Sequence, residues 1–145
     1  VFQVEDTIKL LRECDAGIKM GISAIKDVYD KITHEDFRRH IEDQKNSHAK
    51  MQREIRDQLD TYGDEGKDPN PMTKGMAHVK TGMKLGFDCT DETIASLLTD
   101  GCHMGVKSLS RYLNQYPDAD EGARNVARRL ISLEDTMEKE LRPYL

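Results

Sequence analysis

The residues best suited to chemistry in this sequence are its five histidines and the carboxylates near them. In a helical bundle, a carboxylate-bridged di-iron site takes one Glu from each of two helices and a Glu-x-x-His pair from each of the other two. That spacing matters because residues i and i+3 share a helix face. Only His103 follows a carboxylate at this spacing, Asp100, and helical rotation places His103 opposite its apolar stripe, towards solvent. A complete di-iron site is therefore not predicted.

A different set of polar residues is predicted to point inwards. His48 lies at the centre of an apolar stripe, with Gln44 one turn before it. Asp15 lies on the stripe of the first helix, and Glu134 lies at the edge of the stripe of the last. All four lie near the middle of their helices, so an antiparallel bundle would bring them to one level. We expect a structural polar layer here, with His48 held by Asp15 or Glu134.

The alternative for the same residues is a mononuclear metal site. Asp15, His48 and Glu134 are of the types that hold Zn²⁺, Mn²⁺ or Fe²⁺. The structural layer is favoured over this ligand set, because an inward histidine is usually a hydrogen-bonded core residue. No metal and no other cofactor is therefore predicted.

Four glycines form two pairs with the spacing GxxxG, Gly17 with Gly21 and Gly101 with Gly105. We predict that Gly101 and Gly105 lie on the apolar stripe and allow close helix packing. Gly17 and Gly21 lie beside a stripe, where they could also form a dimer contact. A cavity near Gly101 and Gly105 would instead suit a small apolar ligand.

Composition and charge limit the classes of function. The 145 residues suit one domain, 1–145, and 34% charged with 37% hydrophobic residues suits a bundle of amphipathic helices. A net charge of −5 argues against a general nucleic-acid binder, and no apolar run is long enough for a membrane span. Three cysteines without a CxxC pair indicate reduced thiols and a cytoplasmic protein.

The apolar residues recur at helical spacing in five segments. They predict an all-α chain with long helices over 4–32, 35–62, 91–115 and 120–141, and a short amphipathic helix over 72–83. Thr33, Thr90 and Asp118 are the predicted N-terminal caps of the last three long helices. Two antiparallel hairpins joined by a long crossover follow from the loop lengths.

Five segments carry a resemblance to a known group of proteins. They are ECDAGIKMGISAIKDVYD, HIEDQKNSHAKMQREI, MTKGMAHVKTGMK, TDGCHMGVKSLSRYLNQY and LISLEDTMEKELRPYL. The chain resembles, over nearly its whole length, the bacterial ferritin-like four-helix-bundle families of unknown function. The resemblance implies a ferritin-like bundle with one long crossover, and it implies fold more strongly than activity.

Two functions follow as the leading predictions, and whether the protein is an enzyme stays open. The first is a non-catalytic bundle that acts through protein contacts or self-association, as a possible homo-oligomer. The second is a metal-binding protein, either a degenerate ferritin-like oxidase or peroxidase or a metal sensor. The binder of a small apolar ligand is the third.

Overall fold

The computed structural model describes residues 3–69 and 89–145, and within these ranges every regular element is a helix. The four long helices pack together and are α1 (Val4–Val28), α2 (Glu35–Thr61), α3 (Asp91–Gln115) and α4 (Glu121–Leu141). Short 3-10 turns follow α1 at Tyr29–Lys31 and α4 at Arg142–Tyr144. The prediction of an all-α bundle of four long helices is confirmed, whereas the predicted short helix over 72–83 lies outside the described residues.

Contacts between helix ends fix the direction of each helix. Asp120, just before α4, accepts a hydrogen bond from the Tyr62 hydroxyl at the end of α2 (2.7 Å). Its backbone N–H donates to the Thr7 hydroxyl near the start of α1 (2.8 Å). At the opposite end, the Asp91 carboxylate on α3 accepts from the Thr33 N–H just after α1 (2.9 Å). Thus α2 and α3 run parallel, and the connection between them joins opposite ends of the bundle.

The helix ends follow from local chemistry, with two corrections to the predicted caps. Thr90 caps α3 as predicted, its hydroxyl accepting from the Thr93 N–H (3.1 Å). The cap of α4 is Asp120 rather than Asp118, since Asp120 accepts from the Ala123 N–H (2.7 Å). Thr33 does not cap α2, which begins after His34 without a side-chain cap, and the Thr33 hydroxyl instead donates to Asp91 Oδ2 (3.3 Å).

Two apolar clusters fill the bundle, one near each end. The cluster where α1 begins includes Leu10, Leu11, Ile55, Leu59, Val126 and Leu130. The other includes Val28, Phe37, Ile94, Leu98, Met137 and Leu141. Full burial of one such side chain stabilises the fold by about 1.5–3 kcal/mol. Between the clusters lie the buried side chains of His48 and Glu134.

No helix in the described ranges is both long enough and apolar enough to cross a membrane.

Candidate functional site: a cleft over a buried histidine–glutamate pair

A cleft of about 310 Å³ opens between α1 and α3 at the middle of the bundle. Its walls consist mostly of glycines and apolar side chains. The apolar side chains include Met20 and Ala24 on α1 and Leu97 and Met104 on α3. Its floor is formed by α2 and α4, which contribute His48 and Glu134. The cleft has the size, and the balance of apolar walls with a few polar groups, of a small-molecule site.

All four predicted glycines line this cleft, and their surroundings correct the prediction of close packing. A Cβ atom added at Gly17 or Gly101 would have no neighbour within 4 Å among the residues that the structure describes. Gly101 is exposed, and within residues 3–69 and 89–145 no helix packs against it at that point. A Cβ at Gly105 would lie 3.5–3.6 Å from the Glu134 side chain, which is ordinary contact. Among the described residues, Gly17 and Gly101 therefore border open space, contrary to the close packing predicted at Gly101, whereas Gly21 and Gly105 lie against the His48 and Glu134 side chains.

Gly21 and Gly105 lie directly over the floor. A Cβ at Gly21 would come within 3.1 Å of His48 Cδ2 and 3.3 Å of Nε2. Gly21 on α1 and Gly105 on α3 thus each leave room beside the two polar side chains. Larger residues at these positions would cover the His48–Glu134 pair, so the glycines connect the pair to the cleft.

His48 is almost completely buried, with 1% of its surface exposed, and both of its ring nitrogens have partners. Nδ1 lies 2.7 Å from the backbone oxygen of Gln44, and Nε2 lies 3.1 Å from Glu134 Oε1. A carbonyl oxygen can only accept, so Nδ1 carries a proton and donates it. The Nε2–Oε1 contact then also needs a proton, which makes the pair either imidazolium with carboxylate or imidazole with carboxylic acid.

Cys102 on α3 adds a thiol to the same group. It is buried at 2% exposure and donates a hydrogen bond to Glu134. Burial, and then the charge of Glu134, raise the pKa of the Cys102 thiol far above its ordinary value. The thiol therefore stays protonated, and only a thiolate would be an effective nucleophile or metal ligand.

Asp15 is buried as well, but it belongs to a different contact network. Its Oδ2 accepts from the Lys67 N–H (3.0 Å) and pairs with Lys19 Nζ (2.8 Å). Gly66, at φ +86°, leaves room for this carboxylate, because a Cβ there would lie 2.3 Å from Asp15 Oδ2. Asp15 thus fastens the segment after α2 to α1 and does not hold His48, which has Glu134 as its carboxylate partner.

Gln44 extends the polar layer towards the outside of α4. Its Nε2 donates to Glu140 Oε2 (3.0 Å), while its backbone oxygen accepts from His48. Gln44 Oε1 is the buried side-chain atom without a hydrogen-bond partner in the described part of the chain. The four residues predicted to lie at one level therefore form two separate networks. His48 contacts Glu134 and Gln44, whereas Asp15 contacts the segment after α2.

The three residues of the alternative metal site, Asp15, His48 and Glu134, do not converge on one point. Within residues 3–69 and 89–145, no three side chains of His, Cys, Asp or Glu are arranged to hold a metal ion. Asp15 is engaged by Lys19 and Lys67, which separates it from the other two members of the proposed ligand set. His103 is 65% exposed and faces Glu138 (3.5 Å), as expected for a residue opposite the apolar stripe.

A second polar group closes one end of the cleft, and sequence reasoning did not find it. Glu13 on α1 forms an ion pair with Lys67 (2.5 Å) and accepts from the Tyr112 hydroxyl on α3. Burial and the Glu13 carboxylate raise the pKa of Tyr112. Helical periodicity places Tyr112 on the inward face of α3, but it places Glu13 opposite the apolar stripe of α1, and Lys67 follows α2 in a loop without a periodic pattern.

The chain matches no known family model, no curated protein and no solved structure.

Proposed function

We propose that this protein binds a small, mainly apolar molecule in the cleft between α1 and α3 and acts as a binding protein. The single observation that carries the proposal is the cleft of about 310 Å³ with the buried His48–Glu134 pair on its floor. A cavity of about 150 Å³ lined by apolar side chains is large enough to bind benzene. The cleft has room for a molecule of one or two rings.

The chemistry of the floor supports binding over catalysis. Both ring nitrogens of His48 are occupied by fixed partners, so the imidazole is not free to act as a general base. The raised pKa of Cys102 keeps its thiol protonated, which argues against covalent catalysis by this residue.

A ferritin-like relationship is part of this proposal at the level of fold. It is supported by the parallel directions of α2 and α3 and by the single long connection between them. Self-association and a cytoplasmic location stay predictions.

The test uses 1-methylindole as a neutral apolar probe. The sequence contains no Trp, so indole fluorescence reports only the ligand. We expect saturable 1:1 binding to wild type and loss of binding in Gly101→Phe, because the new ring would enter the cleft where a Cβ meets open space. The melting temperature of Gly101→Phe should stay close to that of wild type.

Two results would overturn the proposal. One is the absence of saturable binding of both 1-methylindole and indole, its N–H parent, or binding that Gly101→Phe leaves unchanged. The other is a large drop in the melting temperature of Gly101→Phe, since this would mean that protein already fills the space.

A further inference from the structure

We infer that Glu134 is the recognition group of the cleft and that the ligand is a neutral one- or two-ring molecule carrying an N–H or O–H donor. This inference rests on the proposed function. It concerns which atoms the floor of the cleft presents to a bound molecule and which ligands those atoms would select.

The cleft gives a ligand access to the buried carboxylate of Glu134. Glu134 is 9% exposed, yet it lines the cleft together with His48. Its Oε2 would lie 3.6 Å from a Cβ at Gly105, and its Oε1 would lie 3.8 Å from one at Gly21. These two glycines lie on opposite walls of the cleft. Because they have no side chains, they leave the carboxylate uncovered.

Glu134 can accept several hydrogen bonds at once. A carboxylate offers about four acceptor positions. In the described ranges two donors reach it, His48 Nε2 at 3.1 Å and the weak donor Cys102. Unused acceptor positions therefore remain on a carboxylate at a mostly apolar site, where a hydrogen bond is stronger than in water.

His48 is the positioning residue for this carboxylate. Its Nδ1 is held by the Gln44 carbonyl, which fixes the ring and directs Nε2 at Glu134 Oε1. With the shared proton on Nε2, the imidazolium N–H donates to Oε1 and leaves Oε2 to accept from a ligand. The pair keeps a net charge of zero, so burying it does not require a charged ligand.

Charge determines which ligands are excluded. The cationic side chain that lines the cleft, Lys67, is paired with Glu13 at 2.5 Å. Among the described lining residues an anionic ligand would therefore find no unpaired cation to compensate for the loss of its hydration. A ligand with neither charge nor donor would leave the open acceptor positions of Glu134 without water or a partner, at a cost in affinity.

The test compares indole, which has an N–H donor, with 1-methylindole, which has none. In wild type we expect indole to bind about tenfold or more tightly, as for one hydrogen bond to a charged group. The methyl group adds apolar surface, so the hydrophobic effect alone favours the opposite order. In the double variant His48→Leu/Glu134→Met the preference should fall to about one or reverse, because both polar partners are replaced together.

Two further variants make the assignment specific. Glu134→Gln keeps the shape and offers a neutral acceptor, so its preference for indole should be smaller than that of wild type. Glu13→Gln changes the other carboxylate of the cleft and should leave the wild-type preference intact. The ratio of the two affinities is the readout, because a general loss of stability lowers both affinities together.

The outcomes separate this inference from the proposed function. Equal binding of both probes to wild type, or a preference that persists in the double variant, would overturn the role of Glu134 while the cleft remains a binding site. Loss of the preference for indole in Glu13→Gln alone would place the recognition group at the other end of the cleft. This result would also overturn the role of Glu134. Failure of both probes to bind wild type would overturn the proposed function itself.

Discussion

Gly17 and Gly21 lie one helical turn apart on α1 but have different surroundings. Open space faces Gly17, whereas a Cβ at Gly21 would lie 3.1 Å from the buried His48 ring. Gly17→Ala should raise the free energy of unfolding by about 0.5–1 kcal/mol, because Ala restricts the unfolded chain and favours helix. Gly21→Ala gains the same term but must displace the ring, so it should be less stable than Gly17→Ala by about 1–2 kcal/mol.

Urea unfolding of the two variants, followed by circular dichroism, measures this difference directly. Each variant serves as the control for the other, since the residue change and the helix are the same. Equal stabilities would show that the His48 ring can move without cost and that Gly21 does not hold the floor open.

For these side chains the sequence predicted which residues point inwards better than which residues contact each other. Periodicity identified His48, Gln44, Asp15 and Glu134, and all four are buried. It could not assign partners, because rotation gives the face of a helix but not its axial position against its neighbours. Asp15 illustrates the difference, since its partner Lys67 comes from a loop that carries no periodic pattern.

Among the elements, α3 depends on a carboxylate that joins it to the turn between α1 and α2. Asp91 accepts from the backbone N–H groups of Thr33 (2.9 Å) and His34 (2.8 Å). Burial alone would raise the pKa of Asp91, but these backbone bonds and the Thr33 hydroxyl outweigh it and lower the pKa. The ionised form is therefore favoured in the folded state.

Asp91→Asn should lower the free energy of unfolding by about 1–2 kcal/mol at pH 7, since an amide offers one acceptor oxygen in place of two. Because the folded pKa lies below the unfolded value of about 3.9, this stabilisation is complete above that pH and is lost as pH falls through the folded pKa. The difference in the free energy of unfolding between Asp91→Asn and wild type should therefore become smaller below about pH 4.

Chemical denaturation at several pH values checks the prediction, with Glu92→Gln as the control. Glu92 is the exposed carboxylate next along the first turn of α3. A stability difference for Asp91→Asn that stays constant from pH 7 to pH 3 would contradict the assignment.

Helix boundaries were predictable where a cap is local and missed where a distant residue intervenes. Thr90 was predicted because its partner, Thr93, is three residues away. Thr33 was wrong as a cap, because α2 begins one residue later and the Thr33 hydroxyl donates to Asp91, 58 positions along the chain. The cap of α4 is Asp120 and not the predicted Asp118. Asp120 also contacts Tyr62 and Thr7, and the spacing of the sequence shows neither contact.

For the whole molecule, Thr7 joins the two hairpins. Its hydroxyl accepts from the Asp120 N–H (2.8 Å) and donates to the Gln3 carbonyl (3.1 Å), and the residue is fully buried. Thr7→Val keeps the shape but leaves the Asp120 N–H unpaired, so it should cost about 1–3 kcal/mol. Hydrogen exchange should show the starts of α1 and α4 losing protection together.

Thr99 provides the matched control, because it is also buried but donates within its own helix, to the Ala95 carbonyl (2.8 Å). Thr99→Val should change the free energy of unfolding by less than half as much as Thr7→Val, since the Ala95 carbonyl lies within a helical turn. Equal losses in the two valine variants would show that the Thr7 contact does not couple the hairpins.

The overall arrangement was the most predictable feature, and the cleft was the least. Four amphipathic stripes and one long connection predict a four-helix bundle. The distance between α1 and α3 has no such signal, because GxxxG spacing is compatible with close packing and with open space. The open space in front of Gly17 and Gly101 decided between the two.

The contacts that fasten the two ends of the bundle also set an order of events during synthesis. Thr7 and its partner Asp120 are 113 residues apart, so at about 5–20 residues per second the ribosome delivers the partner roughly 6–23 seconds later. The hairpin of α1 and α2 emerges first, and its apolar stripes stay exposed to solvent until α3 and α4 have been synthesised. The dense charges of α2, such as Arg38, Arg39, Asp43, Lys50 and Arg53 on exposed positions, give the nascent hairpin a solvated face during that interval.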